Sequence, residues 1–135
     1  MPAHIFIAED ETSIITLLKY NLEKESYKVS FCENGEQALK QIKDKHPDLI
    51  LMDWMLPDLS GVEVCKNLKK DNKYNDIPII MLTAKGEEED KLRAFDTGAD
   101  DYVTKPFSQK ELNARIKSLL RRSKPYSSVD VVEFT

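Results

Sequence analysis

The chain has 135 residues, 41% hydrophobic and 33% charged, with a formal net charge of −4; that size and composition predict one domain with a real core, not a disordered chain. The negative balance argues against a nucleic-acid-binding surface spread over the whole domain. No apolar run approaches the roughly 20 residues that a spanning helix needs, and the opening MPAHIFIAEDE meets acids too early for a signal peptide, so a cytoplasmic protein with no membrane association is expected.

Short apolar runs alternate with helical patterns along the chain. Ala3–Ala8 reads as a strand. Thr12–Glu25 carries Ile14, Ile15, Leu18 and Leu22 at helical spacing. Tyr27–Cys32 alternates with period two, so one face of that strand is expected to be buried. Asn34-Gly35 turns the chain, and Asn34 with Gln37 resembles a capping box for a helix through about Asp44. Leu49–Met52 is a continuous apolar run that ends on an aspartate, Asp53. Ser60 and Glu63 form an S-x-x-E box that opens a helix through about Lys70. Ile77–Leu82 is a second continuous run. Glu87–Thr97 reads as a helix stopped by Gly98. Asp101–Thr104 is a short strand, and Ser108 with Glu111 opens a last helix that ends near Arg122. Acids at Glu87–Asp90 and bases at Arg121, Arg122 and Lys124 suit a first and a last helical turn.

Five strands alternating with five helices predict an α/β fold with a doubly wound parallel sheet. Parallel strands covered on both faces are apolar throughout, which places the runs ending at Ala8, Met52 and Leu82 in the centre. The alternating second strand and the short fifth belong at the edges. Right-handed crossovers then give the flavodoxin-like order 2-1-3-4-5. Cys32 and Cys65 lie in different elements without a CxxC, and His4 and His46 stand at no zinc-like spacing from them; both thiols read as buried small side chains.

Such a sheet binds ligands outside its carboxyl ends, between strands one and three. The residues that follow the strand ends are Glu9 and Asp10, then Asp53, Thr83 and Lys105. Singly, each has an ordinary explanation as a cap or a solvated loop residue. Together they converge on one crevice, where unpaired acids would repel one another. A hard divalent cation relieves that repulsion. Mg²⁺ takes oxygen ligands and keeps several waters; Asp10 and Asp53 are candidate ligands, with Glu9 acting through water. Lys105 then suits an anion, and a carboxylate beside it suits phosphoryl transfer through an aspartyl-phosphate.

Glu9-Asp10, Asp53, Thr83-Ala84 and Lys105-Pro106 resemble the receiver domain of bacterial two-component response regulators. DLILMDWMLPDLSG, IPIIMLTAKGEEED and TGADDYVTKPF resemble its OmpR/PhoB-type members. The resemblance spans about residues 3–123 and implies a receiver domain over 1–123. It implies that Asp53 accepts a phosphoryl group from a sensor histidine kinase. Asp10, Asp53 and the Met55 carbonyl would hold Mg²⁺, with Glu9 assisting. Lys105 would pair with the phosphate, and the Thr83 hydroxyl and Ala84 N–H would bond its oxygens. The peptide before Pro106 would be cis. Such a domain is a signalling switch that catalyses only its own phosphorylation and dephosphorylation.

In this family the threonine moves toward the phosphate and an aromatic on the fifth strand follows, here Thr83 and Tyr102. The same resemblance implies a phosphorylation-dependent homodimer through the fourth helix, fifth strand and fifth helix. Lys91 would face Glu111, Asp101 would face Arg115 and Asp100 would face Arg122, on opposite chains. Leu92, Phe95 and Ala114 would form the apolar patch between them. Asn113 departs from the pattern, standing where many members have an apolar residue.

Residues 124–135, KPYSSVDVVEFT, read as a linker and the start of a further strand. In the family this is where a DNA-binding domain begins, so DNA contact is expected only through that missing domain. A stand-alone chemotaxis-type receiver is the nearest alternative; the tail and the charge set argue against it. A haloacid-dehalogenase-type phosphatase needs a second acid two residues after the nucleophile, where this chain has Met55. A flavin or dinucleotide binder finds too few glycines and no GxGxxG or GK[ST].

Overall fold

Why does a sheet form with its polar groups gathered at one end? The computed structural model describes residues 2–84 and 98–123. In chain order they form β1 (His4–Ala8), α1 (Thr12–Lys24), β2 (Lys28–Cys32), α2 (Gly35–Lys45), β3 (Leu49–Asp53), α3 (Gly61–Lys69), β4 (Ile79–Ala84), β5 (Asp101–Lys105) and α4 (Gln109–Ser123). The helix expected over Glu87–Thr97 and the tail from 124 lie outside the described residues. The sheet is parallel, in the order β2-β1-β3-β4-β5.

The continuous apolar runs become the central strands. All five residues of β3 are buried, as are four of β1 and five of β4. Strand parity divides the core. Phe6, Ile50, Met52, Ile79 and Met81 face α2 and α3, with Ala38, Ile42, Val64 and Leu68. Ile5, Ile7, Leu49, Leu51, Ile80, Leu82 and Val103 face α1 and α4, with Leu18, Leu22, Leu112 and Ile116. Cys32 and Cys65 are both buried, without a disulfide between them, in the first of these layers.

Local chemistry ends the helices where the pattern predicts. Asn34 Oδ1 accepts from Gln37 N–H at 2.8 Å. Ser60 Oγ accepts from Glu63 N–H and Ser108 Oγ from Glu111 N–H, each at 3.2 Å. These bonds satisfy amides that a first helical turn leaves without partners. Gly98 has φ 88°, a conformation that glycine adopts without Cβ strain.

The structure differs from the expectation in two places. The fourth strand starts at Ile79 instead of Ile77, because Pro78 has no N–H to give a ladder. In β2 the alternating apolar set is only partly covered: Val29 is half-buried and Phe31 is 43% exposed. This strand has a neighbour on one side only, so its apolar face outruns the helix that packs on it.

No helix among the described residues is long and apolar enough to cross a membrane.

Candidate functional site

Parity also builds the site. Glu9 continues the face of Ile7, Asp53 that of Leu51 and Lys105 that of Val103, all on the layer shared with α1 and α4. The ladder sets Asp53 opposite Leu82, and Ala84 opposite Lys105. One oxygen each from Glu9, Asp10 and Asp53 falls within 4.8 Å of the others. Lys105 Nζ reaches Glu9 Oε1 at 2.9 Å and Asp53 Oδ1 at 3.3 Å.

The acids differ in setting. Glu9 is fully buried, Asp53 is 6% exposed and Asp10 is exposed. Glu9 Oε2 accepts the Glu11 N–H at 3.1 Å, which ties the carboxylate to the start of α1. Its Oε1 has the Lys105 charge beside it but no aligned hydrogen bond. Burial and the adjacent Glu9 carboxylate push the Asp53 pKa up to about 7, against the opposing pull of Lys105. Burial works to lower the Lys105 ammonium, yet Glu9 and Asp53 together hold it above its ordinary value.

These groups suit a hard cation. The donors are all oxygen, and two of the three acids are withdrawn from water. On β4, the Thr83 hydroxyl is buried and has no hydrogen-bond partner among the described residues, and Ala84 beside it is exposed. Lys105–Pro106 is a cis peptide bond.

The sequence matches the family described as the response regulator receiver domain over residues 5–117. The chain belongs to that family. The receiver is 47% identical over 133 residues to the phosphate regulon transcriptional regulatory protein PhoB of Escherichia coli K12, covering 98% of this chain and 58% of that one. It is 53% identical over 123 residues to the alkaline phosphatase synthesis transcriptional regulatory protein PhoP of Bacillus subtilis, covering 91% and 50%. The chain therefore spans about half to three-fifths of the length of these relatives.

Among solved structures, a Francisella response regulator receiver domain superposes with a TM-score of 0.83 at 34% identity, covering 90% of this chain and 99% of that one. The receiver domain of a sensor histidine kinase from Pseudomonas aeruginosa PAO1 has a TM-score of 0.83 at 28% identity, with 89% and 98% covered. That structure carries a magnesium ion coordinated in its active-site cleft. A receiver is a signalling domain rather than a turnover enzyme, and the PhoB and PhoP relatives set aside the phosphatase alternative.

Around its acidic pocket the receiver makes backbone contacts that the sequence pattern did not single out. Met55 N–H lies 3.4 Å from Asp53 Oδ1, while its side chain is 71% exposed at the rim. Gly61 sits against the backbone of Asp53: a Cβ there would stand 2.0 Å from the Asp53 carbonyl oxygen. Its N–H donates to Trp54 O at 3.1 Å. Gly35 gives the loop 54–60 a similar close approach, with its N–H on Pro57 O at 3.1 Å and a notional Cβ 1.6 Å from Leu59 O.

Other expected residues lie away from the pocket. Tyr102 is half-buried and packs on the α2/α3 side, the face that Thr83 shares through Met81. Lys91, Leu92 and Phe95 lie outside the described residues. Ala114 and Arg122 are exposed on α4. The acids expected to meet a second chain are engaged within this one. Asp101 Oδ2 takes Arg115 Nη1 at 2.7 Å, because β5 presents Asp101 to the layer that holds α4. Arg115 Nε lies 3.7 Å from Glu111. Asp100 Oδ2 takes Lys69 Nζ at 3.2 Å and Ile79 N–H at 2.8 Å.

Proposed function

We propose that Asp53 is the phosphoacceptor of this receiver and that a phosphohistidine of a sensor histidine kinase is its donor. An Asp53 carboxylate oxygen forms the new P–O bond as the P–N bond breaks; the imidazole leaves with the electron pair and keeps or takes up a proton. The product is an acyl phosphate, which water later hydrolyses. Asp10, Asp53 and the Met55 carbonyl would hold Mg²⁺, with Glu9 acting through water, and the ion would offset the charge of the acids and the phosphoryl oxygens.

Lys105 supplies the fixed cation for the phosphoryl group. The Thr83 hydroxyl and the Ala84 N–H are the donors for its remaining oxygens. A buried hydroxyl with no partner among the described residues gains from a new acceptor. Movement of Thr83 toward phosphate, followed by Tyr102 on the same face of the sheet, forms the switch. Its output is dimerisation through β5, α4 and the predicted helix over Glu87–Thr97, leading to transcriptional control through a DNA-binding domain beyond residue 135. In this reading the protein works in the cytoplasm.

The observation that carries the proposal is the meeting of Glu9, Asp53 and Lys105 within ion-pair distance at the end of a buried strand. Acetyl phosphate with Mg²⁺, read by intact mass, tests it. One added phosphate is expected in the native sequence and none in Asp53→Ala. Labelling that persists in Asp53→Ala would place the acceptor elsewhere.

A further inference from the structure

The sequence of β5 specifies its register poorly. Among the described residues the strand bonds to β4 alone, and Val103 is its one buried residue. A slip of one residue would move Lys105 about 3.3 Å along the sheet and turn its side chain to the opposite face. That would remove the ammonium from Glu9 and Asp53, which it now meets at 2.9 and 3.3 Å.

The register is held from outside the strand. Asp100, just before β5, makes a reciprocal pair with Ile79, the first residue of β4. Its N–H donates to Ile79 O at 2.9 Å, and its Oδ2 accepts Ile79 N–H at 2.8 Å. Lys69, at the end of α3, secures that carboxylate. Its Nζ donates to Asp100 Oδ2 at 3.2 Å, and to the carbonyls of Asn75 and Ile77 at 3.1 Å each. An ammonium has three donors, so all three are used, on a side chain only 17% exposed. Gly98 stands over the Lys69 stem, where a Cβ would meet Cγ at 3.2 Å. From the other layer, Arg115 holds Asp101 at 2.7 Å. Two consecutive acids thus tie the start of β5 to α3 on one side and to α4 on the other.

We infer that Lys69 is a positioning residue for Lys105: by fixing Asp100 on Ile79, it sets the register of β5 and so the reach of the Lys105 ammonium into the acidic pocket. The functional consequence rests on the reading of Asp53 as phosphoacceptor; the register claim does not.

Lys69→Met removes the ammonium and keeps most of the stem, while Lys69→Arg keeps the charge. In the metal-free protein, cross-strand NOEs between β4 and β5 and amide exchange in β5 report the register. Trp54 fluorescence reports Mg²⁺ affinity, and acetyl phosphate labelling reports phosphoryl acceptance. For Lys69→Met, β5 amide exchange is expected to quicken about tenfold. Labelling is expected to slow roughly ten- to a hundredfold. Mg²⁺ affinity should stay within about twofold, since Glu9, Asp10 and Asp53 stand on or beside other strands. Lys69→Arg should recover most of the labelling.

Unchanged β5 exchange in Lys69→Met overturns the register claim. Altered exchange with unchanged labelling overturns the link to Lys105. Parallel loss of labelling, Mg²⁺ affinity and melting temperature marks a general loss of fold and overturns the positioning role. Absence of label in the native sequence brings down the Asp53 reading, and the NOE and exchange measurements still decide the register.

Discussion

Lys105 Nζ lies nearer to Glu9 than to Asp53, at 2.9 Å against 3.3 Å. Glu9 is also the more deeply buried of the two acids. The ammonium therefore compensates a carboxylate that has lost its water as well as attending the proposed acceptor, since a buried charge left unpaired is costly.

Lys105→Met should separate these duties. Without the ammonium the pocket is more negative, so Mg²⁺ should bind as tightly or a few-fold more tightly. Acetyl phosphate labelling should fall at least about tenfold, because the fixed cation for the phosphoryl group is lost. Fluorescence titration of Trp54 and intact mass measure the two effects; a joint fall in both would show that Lys105 supports the pocket's shape instead.

The raised pKa of Asp53 makes the stability of the metal-free protein depend on pH. The unfolded carboxyl titrates near 3.8, and the folded one is pushed up to about 7. Between these values the unfolded state gives up the proton while the folded state keeps it. Stability from this group therefore declines as pH rises from about 4 to about 7 and levels off above. Asp53→Asn should remove that slope and stabilise the metal-free protein at about pH 8 by ~2–4 kcal/mol. Urea denaturation at about pH 5 and about pH 8 checks the sign; a gain that is larger at the lower pH would contradict it.

Mg²⁺ should act in the opposite sense to Asp53 ionisation. Binding to the folded protein alone adds about 2.7 kcal/mol at a hundredfold excess over Kd. A thermal melt with and without chelator reads this, and Asp10→Ala should abolish most of the shift. Asp10 suits the test because it is exposed and its loss leaves no cavity in the core.

Gly61→Ala should destabilise the fold although alanine is the better helix former by about 1 kcal/mol. The methyl group would stand 2.0 Å from the Asp53 carbonyl oxygen, so α3 or β3 must shift, at a cost of about 2–3 kcal/mol. The urea midpoint measures the loss. Labelling should fall with it, because the shift displaces the backbone that carries Asp53.

Much of this arrangement was legible in the residues. Leu49–Met52 and Ile77–Leu82 had to be central strands because nothing in them tolerates water, and the polar residues after them then had to share one sheet edge. The capping boxes at Asn34, Ser60 and Ser108 were readable because a cap is a local bond. What stayed hidden was contact across the fold. Gly61 and Gly35 looked like a helix start and a turn, while their close approaches to Asp53 and Leu59 depend on α3 and the 54–60 loop packing together. Lys69 looked like one solvated lysine among several, since its three acceptors come from two other parts of the chain. Asp100 and Asp101 read as partners for a second chain, and their contacts with Lys69 and Arg115 within this one gave no local signal.

The clamp of the 54–60 loop on Gly35 has one more effect. Anchored to the starts of both α2 and α3, this loop flanks the pocket, and among the described residues beside it Asp10, Met55 and Ala84 are exposed. In the proposed reading, a small donor molecule and a histidine carried on a protein would share that approach. Met55, projecting 71% into solvent at its threshold, is where the bulk of an incoming donor would be felt.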